Sequence, residues 1–365
     1  MMELVLKAVP IRRGLPSDRQ SYISSVFYGD IARLLDDNRL YVPNQPDLPD
    51  LAQRKPNPTR IKEIAQYILE TYAEGTTFFP PICVNVQPSP TYRDGSIFLP
   101  YHDVTLRLTD GQHRCFGIRK ALQDIQTQKS ENLRDLFQLE IGVLIYAGLS
   151  LDEERQAFRD QNLLVQRPSV SLSHYFDKRS PQVVIAKELL IRVPQFRNNV
   201  ETVENSLGSH NPKLLTLSTL VTATKYMFPN LKSKKDLELK IDWATTFWAA
   251  AASTLNDDPW QIKTKAERCQ QRQETLLVSA VIFQALGMLA HNLYQEDVPG
   301  EDLIKWLINL QNLDWQRQNK FWSERGLVQV GTTGETIISN TKITVNICHK
   351  ILQEFVGVAS VSGLI

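Results

Sequence analysis

Cysteine is scarce in this chain of 365 residues, and the four present, Cys83, Cys115, Cys269 and Cys348, stand far apart. With no close pair, neither a zinc knuckle nor a disulfide framework is indicated, and a reducing cytosol is the expected setting. Charge of one sign is also lacking: 41 Lys and Arg face 40 Asp and Glu, leaving a formal net charge of +1. No global field marks a nucleic-acid or membrane partner, so local patches must carry any such role. Long apolar runs are missing. Residues 276–289 come nearest, but Ser279 and Gln284 interrupt them, and they fall short of the roughly 20 residues of a membrane span. The opening Met-Met-Glu-Leu-Val-Leu-Lys has no basic start, long apolar run or cleavage site, so a soluble cytoplasmic protein with no membrane partner is expected. No G-x-x-x-x-G-K-[ST] phosphate loop occurs. His102, His174, His210, His291 and His349 have no partner at metal-binding spacing, so no metal site is expected.

What is present is an ordinary globular composition. Hydrophobic residues make up 42% of the chain, enough for a sizeable core, and the length suits about two domains. Over residues 60–74, Ile61, Ile64, Ala65, Ile68, Leu69 and Tyr72 follow helical spacing, with Thr59 as the expected N-cap and Gly75 as the stop. Residues 43–58 hold five prolines and the basic pair Arg54 and Lys55, and read as a loop. Phe79-Pro-Pro-Ile opens a strand and Asp94-Gly95 marks a turn. Between 103 and 109, Val104, Leu106 and Leu108 alternate with Thr105 and Arg107 as in a half-buried strand. A helix over about 112–128 and a strand over 139–147 follow. Ser150 and Glu153 fit a capping box. Beyond it the chain reads as helical, with candidates at 170–177, 181–192, 213–227, 243–255, 273–294, 301–311 and 341–355, and a short hairpin over 326–334. The expected organisation is an α/β (α+β) domain over 1–165 and a mostly helical region over 166–365.

One stretch carries chemistry: Thr109-Asp-Gly-Gln-His-Arg-Cys-Phe-Gly117, placed where a strand hands over to a helix. Free backbone N–H groups and the helix dipole make such a turn suited to anions. Gly111 permits the tight turn. His113 and Arg114 fall in the first helical turn, where cations oppose the dipole unless an anion sits among them. On this reading Gly111, Gln112, His113, Arg114 and Arg119 hold phosphate, with Arg114 bidentate, while Asp110 caps the helix or orients a metal or water. The plainer reading has Asp110 and Gly111 as a turn and Arg114 paired with a carboxylate in the strand-turn-helix unit. The residues leave both open.

The string Asp110-Gly-Gln-His-Arg114, preceded by Leu106-Arg-Leu-Thr and followed by Gly117-Ile-Arg-Lys-Ala-Leu122, resembles the signature of the DGQHR-domain family. Residues 53–68, Phe79-Pro-Pro-Ile and residues 158–168 (Phe-Arg-Asp-Gln-Asn-Leu-Leu-Val-Gln-Arg-Pro) agree with it and occur in that family's order. The resemblance spans most of residues 20–180. It implies a ParB and sulfiredoxin-like mixed-sheet core with a helical extension, and a transcriptional regulator, a repressor of DNA sulfur (phosphorothioate) modification genes. Its implied partner is the double-stranded operator DNA of the modification operon. Sulfiredoxin-like members carry a catalytic Cys just before the His-Arg pair, where this chain has Gln112, so thiol redox chemistry is disfavoured. ParB-like members bind a nucleotide at the comparable turn, which leaves ATP or another nucleotide as a ligand although no cofactor is required.

A duplex-binding protein needs Lys and Arg placed against several phosphates. Arg54, Lys55, Arg60, Arg167, Lys178 and Arg179 are the leading candidates, with Arg12, Arg13, Lys62, Lys232, Lys234 and Lys235 behind them. Trp243, Phe247, Trp248, Trp306, Trp315 and Trp322 read as packing core. A helix-turn-helix around 214–226 is conceivable but no spacing compels it. Two rivals remain: a nucleotide hydrolase or DNA-nicking enzyme in which Asp110 or His113 activates water, and an interaction module that joins other sulfur-modification proteins through the Trp-rich C-terminal half; assembly as a homo-oligomer is left open on every reading.

Overall fold

A computed structural model describes residues 3–12, 20–41, 56–87, 89–100, 104–128, 133–163, 168–231, 235–255, 260, 264–331 and 335–358. The chain divides into two compact units, Met1–Gln166 and Arg167–Ile365.

The first unit runs β1 (Glu3–Arg12), β2 (Gln20–Phe27), α1 (Tyr28–Asp36), β3 (Leu40–Tyr41), α2 (Pro58–Thr71), β4 (Ile82–Gln87), β5 (Thr91–Arg93), β6 (Ser96–Pro100), β7 (Thr105–Asp110), α3 (Gln112–Thr127), α4 (Leu133–Phe137), β8 (Glu140–Ala147) and α5 (Leu151–Leu163). The eight strands form one mixed sheet in the order β3-β7-β4-β8-β2-β1-β6-β5. β3 with β7 and β4 with β8 are parallel, and the other neighbours are antiparallel. The period of two seen in the sequence buries one face. Leu106 and Leu108 of β7, Ile82, Val84 and Val86 of β4 and Ile141, Val143 and Ile145 of β8 share a core with Ile118, Ala121, Leu122 and Ile125 of α3. Asp94 and Gly95 both take positive φ, 48° and 71°, the pairing a tight hairpin turn between β5 and β6 requires.

Two expectations change here. α2 is capped by Asn57 and not by Thr59: its Oδ1 accepts from the amides of Thr59, 2.9 Å, and Arg60, 3.4 Å, with Pro58 at the first helical position. β1, β2 and α1 precede the first periodic segment found in the sequence. β1 escapes notice because Val5 and Val9 share its exposed face with Glu3 and Lys7, which blurs the alternation with Leu4, Leu6 and Ala8 on the core side.

The second unit runs α6 (Val170–Phe176), α7 (Pro181–Arg192), β9 (Val200–Glu201), β10 (Leu215–Thr216), α8 (Leu217–Met227), α9 (Leu237–Thr254), α10 (Lys265–Glu274), α11 (Ala280–Gln295), α12 (Leu303–Leu307), α13 (Lys320–Glu324), β11 (Gln329–Val330), β12 (Thr336–Ile337) and α14 (Lys342–Val356). Of the helix expected over 273–294, residues 280–294 form α11, while 273 and 274 end a separate and unexpected helix, α10. Between them Leu276 N–H donates to the Trp315 carbonyl at 2.9 Å, and Ser279 restarts the helix by accepting from Ile282 N–H. Residues 301–311 alternate between 3-10 and α turns. α8, the helix considered for groove reading, buries Leu217, Leu220, Val221 and Met227. At its centre α11 passes so closely that a Cβ on Gly287 would stand 2.3 Å from the Ala223 carbonyl oxygen. That makes α8 a core helix. Phe247, Trp248, Trp315 and Trp322 are buried, whereas Trp306 keeps 36% of its surface exposed.

Candidate functional site

The Asp110-to-Arg114 turn is built at the end of β7 by an irregularity. Cys83 of β4 pairs with Asp110 and Val84 with Leu108, so Thr109 is an extra residue in the ladder. A bulge of this kind re-aims the following side chain, here toward the face of Cys83. Gly111 then takes φ +101°, and a Cβ there would stand 2.6 Å from Cγ2 of Ile82, so both backbone angle and space demand glycine. α3 begins directly after it, and no side chain caps it. The Asp110 carboxylate is instead joined to Arg114.

Arg114 is the hub. One nitrogen of its guanidinium binds Asp110, and the other donates to the carbonyls of Pro80 at 2.7 Å and Pro81 at 3.0 Å. The side chain is only 13% exposed. Protein acceptors thus occupy the fork expected to take a phosphate, in the manner of the plainer reading of the motif. Consecutive prolines suit this task because they leave carbonyls but no N–H groups to compete.

His113 faces α2. Its Nε2 accepts the backbone N–H of Asn57 at 3.0 Å, which places the ring proton on Nδ1. Burial first, and Arg60 second, push its pKa below the ordinary value against an opposing pull from Asp110. His113 therefore joins the starts of α2 and α3 as a neutral acceptor. Gln112 is buried. Arg119 pairs with Asp36 of α1 at 3.3 Å and lies over the Phe116 ring, which draws it to α1. α3 also meets α2 at Gly117, where a Cβ would stand 2.3 Å from Cγ2 of Ile64.

A polar cluster not foreseen from the sequence lies on the sheet face away from the main core. Arg107 of β7 pairs with Glu154 of α5 at 3.0 Å, with side chains 15% and 5% exposed. Asn85 of β4 also bonds Glu154, and exchanges two hydrogen bonds with the Leu149 backbone at 2.9 and 3.0 Å. Burial raises the Glu154 carboxyl against the opposing influence of Asn85 and Arg107. Nearby, Gln161 donates to Tyr146 Oη at 2.6 Å. The only sequence signal was a charged residue at alternate position in a strand. Burial lifts the Cys83 thiol to about 11 and that of Cys115 to about 12, so neither is a thiolate at neutral pH.

Of the expected DNA contacts, Arg60 and Lys62 are exposed in the first turns of α2, and Lys178 and Arg179 are exposed on the link between α6 and α7. Arg54, Lys55, Arg167, Arg13, Lys232 and Lys234, and the side chain of Arg12, lie outside the described residues. Among the described residues no group of His, Cys, Asp and Glu could hold a metal, and no helix is long and apolar enough to cross a membrane.

A family model described as DNA-sulfur modification-associated matches residues 9–359, nearly the whole chain. No curated protein and no solved structure gives a match.

Proposed function

The chain belongs to the DndB family, and with it to DNA sulfur modification; from that premise we propose that it is a DNA-binding regulator, a repressor of the modification genes. The observation that carries the reading is the start of α2. Arg60 and Lys62 are exposed there, and the first turn has no acidic residue to complement the dipole. Cations at that end of a helix are unfavourable alone and favourable once an anion such as a backbone phosphate joins them. His113 ties this helix start to the family motif. In this reading the DGQHR turn is the frame that sets the basic edge, and the commitment of Arg114 to three protein acceptors weighs against the hydrolase rival.

Fluorescence anisotropy of the full chain against the intergenic DNA upstream of its operon, beside a shuffled duplex and over a salt series, tests it. Preference for the operator is expected, with a salt slope that falls by about one for each phosphate-contacting cation removed in Arg60→Ala or Lys62→Ala. Equal affinity for the shuffled duplex overturns the regulator.

A further inference from the structure

The second unit carries a pair of aromatic rings on its surface. Tyr175 is 48% and Phe176 69% exposed, at the end of α6. Their rings meet edge to face, with centroids 5.7 Å apart and planes at 77°. The backbone beneath them is pinned. Lys187 of α7 donates from Nζ to the carbonyls of Tyr175, 2.8 Å, and Asp177, 3.1 Å, and lies 5.9 Å from the Tyr175 ring centroid. Ser171, fully buried, accepts from the Ser218 amide of α8.

The exposed charges that follow the rings are both basic. Lys178 and Arg179 follow immediately and are exposed, and Lys187 adds a third cation. The acid in this stretch, Asp177, turns its carboxylate to the amides of Arg179, 2.8 Å, and Ser180, 3.2 Å. A rigidly mounted aromatic pair bordered by cations suits a ligand that offers flat π faces along a chain of negative charges.

We infer that Tyr175 and Phe176 form a stacking platform for unpaired bases of a nucleic-acid strand, whose phosphates lie against Lys178 and Arg179. This rests on the DNA-binding reading above and narrows it. Intact duplex shows a protein the edges of its bases and hides their faces, so exposed rings gain nothing from B-form DNA but gain from a base that has left the stack.

The test uses the full chain, a labelled oligothymidine strand, the operator duplex, and vesicles of phosphatidylcholine with phosphatidylglycerol. Phe176→Ala and Tyr175→Ala are each expected to weaken oligothymidine binding by about tenfold, with Phe176→Trp close to wild type and the duplex bound as before. Lys178→Ala with Arg179→Ala is expected to weaken the strand and flatten its salt dependence. The inference is overturned if wild type does not bind oligothymidine, if both alanine variants bind it as wild type does, or if the rings serve vesicle binding instead. Ring-dependent binding of the strand without preference for the operator would leave the platform standing and remove the repressor. Operator preference without strand binding would do the reverse.

Discussion

Arg114 returns across one helical turn to Asp110 while its second nitrogen holds the carbonyls of Pro80 and Pro81. One side chain thereby ties the end of β7, the start of α3 and the approach to β4. Replacement by lysine keeps the charge but not the fork. Arg114→Lys is expected to cost about 2 kcal/mol, read as a fall of about 4–8 °C in the thermal midpoint. A midpoint within about 1 °C of wild type would remove the clasp from this account.

Gly117 and Ile64 meet where α3 crosses α2. Gly117→Ala is expected to destabilise by about 1–3 kcal/mol, since the crowding is with a branched side chain held in the core. Adding Ile64→Ala makes room, so the double variant should lose less than the sum of the two single losses, measured by urea unfolding of all four proteins.

The Arg107 and Glu154 pair is buried and should be costly to halve. Glu154→Ala leaves a guanidinium without its carboxylate, for an expected loss of about 3–5 kcal/mol. Arg107→Met with Glu154→Met removes both charges and is expected to be milder than the single change. If it is the more damaging of the two, the hydrogen bonds to Asn85 matter more than the charges.

His349 of α14 is buried, and its Nε2 donates to Asn292 Oδ1 at 2.9 Å. Burial, helped by His291, lowers its pKa from 6.5 to about 4. The unfolded chain therefore binds a proton more readily than the folded one between these values. Stability held above about pH 6.5 is lost as pH falls toward 4, by about 3 kcal/mol for this group. Denaturant midpoints measured across that window should decline, and His349→Gln should flatten the decline.

Most of the strand-turn-helix unit around Asp110 was legible, because Leu106 and Leu108 alternate and Gly111 punctuates the chain where a turn is needed. Arg114 illustrates what was not. Its carbonyl partners lie 34 and 33 residues away, and no local pattern announces that pairing. The residues left the anion reading and the pairing of Arg114 with a carboxylate both open, because local spacing does not say that His113 accepts a backbone N–H or that Arg114 is surrounded by oxygen. The α2 cap was misplaced by two residues because Pro58 separates two residues that both cap well, and proline at the first helical position favours Asn57. The 273–294 run was read as one helix because its apolar spacing continues across Thr275, where pairing with the distant Gln316 breaks it.

The sheet order has a consequence for synthesis. β3, β7 and β4 make one group and β2, β1, β6 and β5 another, and β8 alone joins them. β8 is the last of the eight strands to be made, so a nascent chain can assemble each group as it emerges, yet no strand hydrogen bonds join the two halves until residue 147 has left the ribosome. Cooperative resistance to protease should therefore arise late and abruptly, and a ribosome stalled just before β8 clears the exit tunnel would hold two partial sheets with unpaired edges that invite association with neighbouring chains.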